Sequence, residues 1–432
     1  MYIYINAFFN HVLMILNMII EKIMFRLGHY EVDHQVLFDI FYNLRNTEIK
    51  SYKKSPVIKN LNQKIKVGLL TNEIPPIVYG GVATWIVNFI DMFQDEENYE
   101  IIPIFLAYND KLPECCLEKY PNIRIINDSR ELKEVFSDID VCINNLWIAL
   151  NTITEIKEIF PNLNIISVCH SLIRMENITN LGSCYTNNFN QQELTFQESD
   201  CIVLISKAEE EYYNNFGYGL METPTRVIYN SYVPKYDNNK LDVNYASNNP
   251  GYIGRHVPRK RPELVIKAVD YLNKGDITVT NMGVDYDKYD NEYWRELEKI
   301  YKDQLVIVPF STDKNVKEDY WKNIGINCIT GIYEPFGYTI CESIDRRIPV
   351  IVSNIDGPKE IIEDVKEYIF TYEVDKDNYN NDIINFSSTL KKMWEIPAKE
   401  REERCEKARK CLDKIRPEVI KPDWINLINE LV

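Results

Sequence analysis

At 432 residues the chain exceeds one ordinary core and divides most naturally into two domains of about 150 to 200 residues each. Its 65 acidic and 49 basic residues leave a formal charge of -16, which repels a phosphate backbone, so no nucleic acid is expected as partner. Ten cysteines are scattered with no C-x-x-C pair, and Cys142, Cys169 and Cys201 sit inside apolar runs, the usage of buried thiols in a reducing, cytoplasmic setting.

Residues 1–62 read as an N-terminal helical extension. Its first stretch, Met1–Ile20, carries no Asp, Glu, Lys or Arg, yet Asn6, Asn10 and Asn17 interrupt the apolar run. It lacks the basic start and small-residue cleavage site of a signal peptide, and it barely reaches the roughly twenty apolar residues of a spanning helix. The segment reads as a helix packed on the first domain or on a membrane surface, which makes residues 1–28 the candidate for peripheral membrane contact.

Residues 63–233 form the first predicted domain. Apolar runs rich in Ile and Val alternate there with polar helical stretches, the pattern of βαβ units around a parallel sheet. Strands are expected at 66–71, 101–106, 141–144, 164–169, 201–205 and 226–229, with helices at 83–93 and 207–216 among those between them. The adjacent Cys115 and Cys116, with no histidine nearby, read as structural. Residues 234–250 are dense in Asn, Asp, Lys and Tyr and read as a linker. The alternation then restarts in a second domain, 251–415, with strands expected at 252–254, 277–282, 305–309, 326–329 and 349–353 and a helix at 262–272. Helical patterns close the chain over 398–415 and 418–432, and residues 416–432 are expected to pack back on the first domain. Two consecutive α/β halves of this kind put the carboxyl ends of their sheets on facing sides of a crevice, where ligands bind.

Phosphates bind where backbone N–H groups open a helix at the positive end of its dipole, often with Arg and Lys nearby. Three places fit. Gly80-Gly81 follows the first strand and opens the helix holding Trp85; a plain tight loop is the alternative. Gly254-Arg255-His256-Val257-Pro258-Arg259-Lys260 ends a strand in glycine and adds cations before Pro262; a solvated basic turn is the alternative. The third is Glu334-Pro335-Phe336-Gly337-Tyr338-Thr339-Ile340-Cys341-Glu342, a glycine loop leading into a helix between two carboxylates. Carboxylates beside a phosphate make electrostatic sense where they bind hydroxyls, as sugars and ribose supply. Asp138-Ile139-Asp140 resembles a metal-binding D-x-D, but it precedes Val141-Cys142-Ile143 and reads instead as a helix cap and the start of a buried strand.

The E-x7-E spacing of Glu334 and Glu342, followed by Pro349-Val350-Ile351 and Gly357-Pro358-Lys359-Glu360, resembles the retaining glycosyltransferases of family four, the group 1, glycogen-synthase-like enzymes with the GT-B fold. The likeness runs in order over residues 64–432, through the Gly-Gly loop, His170 at a strand end, Asn230 after a strand and the G-R-x4-K element. It implies two Rossmann-like domains facing across a cleft. It implies further that Glu334 holds donor-sugar hydroxyls, Glu342 the ribose hydroxyls, and Arg255 with Lys260 the diphosphate. Gly80, Gly81, Gly254, Phe336, Gly337, Tyr338 and Thr339 would complete the phosphate cradle, and His170 would face the donor sugar unless it is a satisfied structural histidine.

The implied activity is transfer of a sugar from a nucleotide-diphosphate donor to an unidentified glycan, lipid or small-molecule acceptor, with retention and with no metal or other cofactor. A sugar-nucleotide epimerase or phosphorylase of the same fold, or a non-catalytic glycan- or nucleotide-binding relative, are the alternatives. Two residues depart from the family pattern. Pro335 replaces a glycine and removes a backbone donor, and Arg347 stands at a usual glycine position, which predicts a differently built helix end.

Overall fold

The computed structural model describes residues 63–77, 80–107, 114–146, 149–179, 189–215, 222–237, 242–284, 291–376 and 378–432. The expected N-terminal extension, and with it the membrane contact of residues 1–28, lies outside these. Among the described residues no helix is long and apolar enough to cross a membrane. The chain divides into two units: residues up to 178 with 182–231 and 417–432 make the first, and 179–181 with 232–416 make the second.

Unit 1 holds seven strands, β1 (Ile65–Thr71), β2 (Tyr99–Leu106), β3 (Arg124–Ile126), β4 (Val141–Asn144), β5 (Asn164–Cys169), β6 (Cys201–Leu204) and β7 (Thr225–Val227). They pair in parallel in the order β3-β2-β1-β4-β5-β6-β7, with Val67 aligned on Val141 in β4 and on Ile101 in β2. Helices cover both faces, so the central strands are buried throughout and read as unbroken apolar runs such as Val141-Cys142-Ile143. Ile104, Phe136, Ile153 and Ile165 pack in one core layer.

Helix α1 (Gly81–Phe93) follows β1 and buries Trp85, Phe89 and Phe93. The last helix of the chain returns here: Trp424, 1% exposed, meets Trp85 and Phe89 edge-on at 5.7 and 5.1 Å. Lys421 pairs with Glu96 at 2.6 Å and the Tyr99 hydroxyl donates to Asn429 at 2.8 Å.

Unit 2 holds β8 (Pro250–Ile253), β9 (Val279–Val284), β10 (Leu305–Pro309), β11 (Ile326–Ile329), β12 (Val350–Ser353) and β13 (Phe370–Tyr372). They too are parallel, in the order β10-β9-β8-β11-β12-β13, the doubly wound order of a nucleotide-binding sheet. Four of its helices matter below: α2 (Glu263–Tyr271), α3 (Lys314–Asn323), α4 (Tyr338–Asp345) and α5 (Asp356–Ile362). Helix α2 buries Leu264, Val265 and Ile266 against Phe386, Leu390, Ile326 and Cys328.

Two strands, β3 and β13, escape the sequence pattern because each is three residues long and sits at a sheet edge. The 398–415 pattern resolves into an α-helix over Ala398–Ala408 and a 3-10 segment over Arg409–Ile415.

Two expectations are corrected. The end of α4 is not built differently. Arg347 takes φ 62°, its N–H donates to the Ile344 carbonyl and the Ile348 N–H to that of Ser343, which is the Schellman closure that glycine favours. The left-handed conformation costs a side-chain-bearing residue about 1 kcal/mol. Arg347 offsets this with an ion pair to Glu406 at 2.8 Å and a hydrogen bond to the Tyr236 carbonyl at 2.9 Å. Nor does the D-x-D pair cap a helix: Asp138 is paired with Lys66 and Arg124, each at 2.6 Å, and Asp140 accepts the Lys66 backbone N–H at 2.8 Å. Both carboxylates serve the start of β4.

Candidate active site

In a doubly wound sheet the ligand crevice opens outside the carboxyl ends of the two strands where the order reverses. In unit 2 these are the hydrogen-bonded neighbours β8 and β11. The G-R-x4-K element leaves β8, and the E-x7-E loop leaves β11. Two motifs 74 residues apart in sequence, measured from Lys260 to Glu334, therefore emerge side by side.

The two loops are stitched together. Ile332 N–H donates to the Arg259 carbonyl at 2.8 Å, the Thr330 hydroxyl to the Lys260 carbonyl at 2.7 Å, and the Arg259 guanidinium to the Tyr333 carbonyl at 3.3 Å. Arg259 also lies over the Tyr333 ring, 5.8 Å from its centroid. Across this seam the Lys260 ammonium pairs with the Glu334 carboxylate, their side chains only 13% and 18% exposed. Gly254, at φ 153°, ends β8; the Tyr252 hydroxyl holds the Arg255 carbonyl at 3.0 Å, and the Arg255 charge acts on both Lys260 and Glu334.

Burial, reinforced by the Arg259 charge, pushes Lys260 down to about 8 despite the pull of Glu334. Burial alone would raise the Glu334 carboxyl, but Lys260, Arg259 and Arg255 outweigh it and hold the group below its ordinary value. Near neutral pH the site thus carries three cations around one carboxylate, a surplus of positive charge suited to an anionic ligand.

Beyond Glu334 the loop turns through Gly337, whose φ of 105° excludes most side chains, into the N terminus of α4. Phe336 is buried with its ring edge-on to Tyr338 at 5.0 Å, while Tyr338 and Thr339 start the helix at the half-exposed surface. The Gly357-Pro358 motif explains itself here. Glu334 N–H donates to the Asp356 carboxylate at 3.1 Å, and Gly357 N–H to the Glu334 carbonyl at 3.2 Å. A Cβ on Gly357 would lie 2.3 Å from the Pro335 carbonyl oxygen, so α5 can brace the loop only through glycine. Glu342, one turn into α4, pairs with Lys317 of α3 at 2.9 Å.

The remaining sequence candidates belong to unit 1 and lie at its own reversal point, β1 beside β4 and β5. Gly80 is the extended N-cap of α1, and Gly81 has nothing within 4 Å of a notional Cβ. His170 ends β5 and its Nε2 lies 2.9 Å from the Asn145 Oδ1; burial pushes the imidazole down to about 3, so it is neutral. Sequence reading missed Arg259, Lys317, Asp356 and Asn145. Arg259 is 2% exposed, yet an Arg between Pro and Lys carries the signature of a surface turn.

Two doubly wound parallel sheets, each with polar groups at its reversal point, define a two-domain α/β protein of the GT-B class. Residues 239–409 match the model of the family described as Glycosyl transferases group 1. The chain is 28% identical over 146 residues to a probable sucrose-phosphate synthase of Thermosipho melanesiensis; the match spans 33% of this chain and about a third, 33%, of that protein. Among solved structures, a sucrose-phosphate synthase from Thermosynechococcus elongatus superposes with a TM-score of 0.69 at 15% identity, over 85% of this chain and 99% of the other. Anabaena HepE in complex with UDP-glucose superposes with a TM-score of 0.64 at 15% identity, over 85% and 100%.

Proposed function

We propose that the chain transfers a sugar from a nucleoside-diphosphate sugar to a hydroxyl-bearing acceptor. The observation that carries this reading is the surplus of positive charge at the β8–β11 reversal point, where Lys260, Arg259 and Arg255 surround Glu334 on the loop that leads into α4. In such a transfer the anomeric C–O bond breaks and its electron pair departs on the diphosphate, while the acceptor hydroxyl forms the new bond and gives up its proton to the leaving phosphate. Preorganised donors facing that developing charge are worth about 3 to 4 kcal/mol each in favourable cases.

Glu334, fixed by Lys260 on one side and by α5 on the other, is assigned to the sugar hydroxyls and Glu342 to the ribose. Transfer with retention is the expected outcome, and the cations of the protein take the place of a divalent ion. UDP-glucose is the first donor to test, since HepE is seen with it and a sucrose-phosphate synthase is among the relatives.

A thermal-shift screen of nucleotide sugars checks the reading. A donor at a hundred times its Kd stabilises the fold by about 2.7 kcal/mol, and release of free nucleotide with transfer of the sugar to an acceptor, unaltered by EDTA, is the expected chemistry. No stabilisation by any nucleotide sugar would remove the proposal; an altered or phosphorolysed sugar as product would assign the chain to an epimerase or phosphorylase.

A further inference from the structure

Lys260 reaches Glu334 from a turn whose backbone a side-chain-bearing residue seldom adopts. Pro258–Lys260 is a single turn of 3-10 helix. Arg261 closes it in the left-handed region, at φ 46° and ψ 46°, and its N–H donates to the Pro258 carbonyl at 3.3 Å. A Cβ disfavours that region about tenfold, and Pro262, which follows, favours extended backbone in the residue before it. The turn also joins Lys260 to α2, whose Leu264 N–H donates to the Arg261 carbonyl at 3.0 Å. Extended backbone at Arg261 would break this bond and rotate the Pro258–Lys260 segment relative to α2.

The side chain supplies what the backbone lacks. The Arg261 guanidinium pairs with the carboxylate of Asp382, which is fully buried on the long helix Tyr379–Glu395. The other Asp382 oxygen accepts the Asp375 N–H at 2.5 Å. The Tyr379 ring lies 5.3 Å from the guanidinium, and its hydroxyl donates to Glu263, the first residue of α2, at 3.1 Å. A buried ion pair adds little stability over apolar packing of the same volume, but it fixes a direction that apolar packing would not. We propose that Asp382 is a positioning residue: it anchors the Arg261 side chain, which locks the left-handed turn and so aims the Lys260 ammonium across the seam at Glu334. That this ammonium serves a departing diphosphate rests on the proposed transferase function; the lock on its backbone does not.

Three variants of the full chain test the lock: Asp382→Asn, and Asp382→Asn combined with Arg261→Ala or with Arg261→Gly. Asparagine keeps an oxygen for the Asp375 N–H. The two double variants lose the anchor alike and bury no unpaired charge, so they differ in the backbone freedom at position 261. With UDP-glucose as donor, Asp382→Asn and the alanine double variant should lower turnover about tenfold, while the glycine double variant stays within about threefold of the unaltered chain. The Lys260 titration is followed without donor on 13C-labelled lysine, its resonance assigned by its absence in Lys260→Ala. It should lie at about 8 in the unaltered chain, stay there in the glycine double variant, and rise in the alanine one as the loosened turn rehydrates the ammonium. Double variants that titrate alike, or that turn the donor over at equal rates, overturn the proposal; should Asp382→Asn fail to fold, the two double variants carry the test. Failure of the donor reading shows separately, as the absence of any thermal shift with nucleotide sugars while the Lys260 titration still separates the double variants.

Discussion

The two units repeat one topology and fill it with opposite chemistry. At the reversal point of unit 2, Arg255, Arg259 and Lys260 crowd one carboxylate. At that of unit 1, a neutral imidazole, a primary amide and two glycines occupy the equivalent place. The doubly wound sheet supplies the crevice in each case and leaves the choice of ligand atom to the loops. A cationic loop suits the charge that departs on a phosphate, and a neutral one suits hydroxyls, which carry no charge to neutralise.

Four experiments would break or sharpen that contrast. Removing the Trp424 side chain, which fills the aromatic layer of unit 1, should cost about 3 to 5 kcal/mol, with lost hydrogen-exchange protection concentrated in β1 to β7; uniform loss over both sheets would deny the units their separate cores. Lys260→Ala should lower turnover about a hundredfold or more, or about 2.7 kcal/mol, with the circular dichroism spectrum retained. Near-normal turnover would take the ammonium out of the chemistry.

The third experiment is a pH profile. Lys260 sits at about 8 in the folded chain, below its ordinary 10.5, so the proton leaves as pH rises through 8, and kcat/KM should fall about tenfold per unit above it. Bound diphosphate favours the ammonium, so the limb in kcat should lie higher. His170, at about 3, should add no limb between pH 5 and 8. A histidine limb there would remove the neutral character of the unit 1 site. The smallest effect belongs to Arg347: both Arg347→Gly and Arg347→Ala should destabilise, since the Tyr236 carbonyl and Glu406 lose their partner, but the glycine variant should be the more stable of the two by about 1 kcal/mol. Equal melting temperatures would mean that φ 62° carries no strain.

What the sequence made legible divides along the same physical line. Strands buried on both faces announce themselves as apolar runs, so β4, β6, β11 and β12 are readable, whereas the edge strands β3 and β13 bury too little to leave a pattern. Arg255, Lys260 and Glu334 stand out in the sequence as residue types at fixed spacing before helix starts, and the fold brings their charges together. Arg259 and Asn145 do not stand out, because what they do depends on burial and on bonds to the backbone of distant loops, and any segment with a cation or an amide looks alike before it folds. Arg347 shows the converse error: a missing glycine suggests a changed backbone, while the fold kept the backbone and paired the intruding side chain instead.

The return of residues 417–432 to unit 1 also fixes an order of events. On the ribosome every strand of unit 2 is made before Trp424 exists, so the N-terminal unit, though translated first, is the last to be completed. A premature stop anywhere after unit 2 would leave its partner with an open aromatic face, and no contiguous fragment of the gene encodes unit 1 whole.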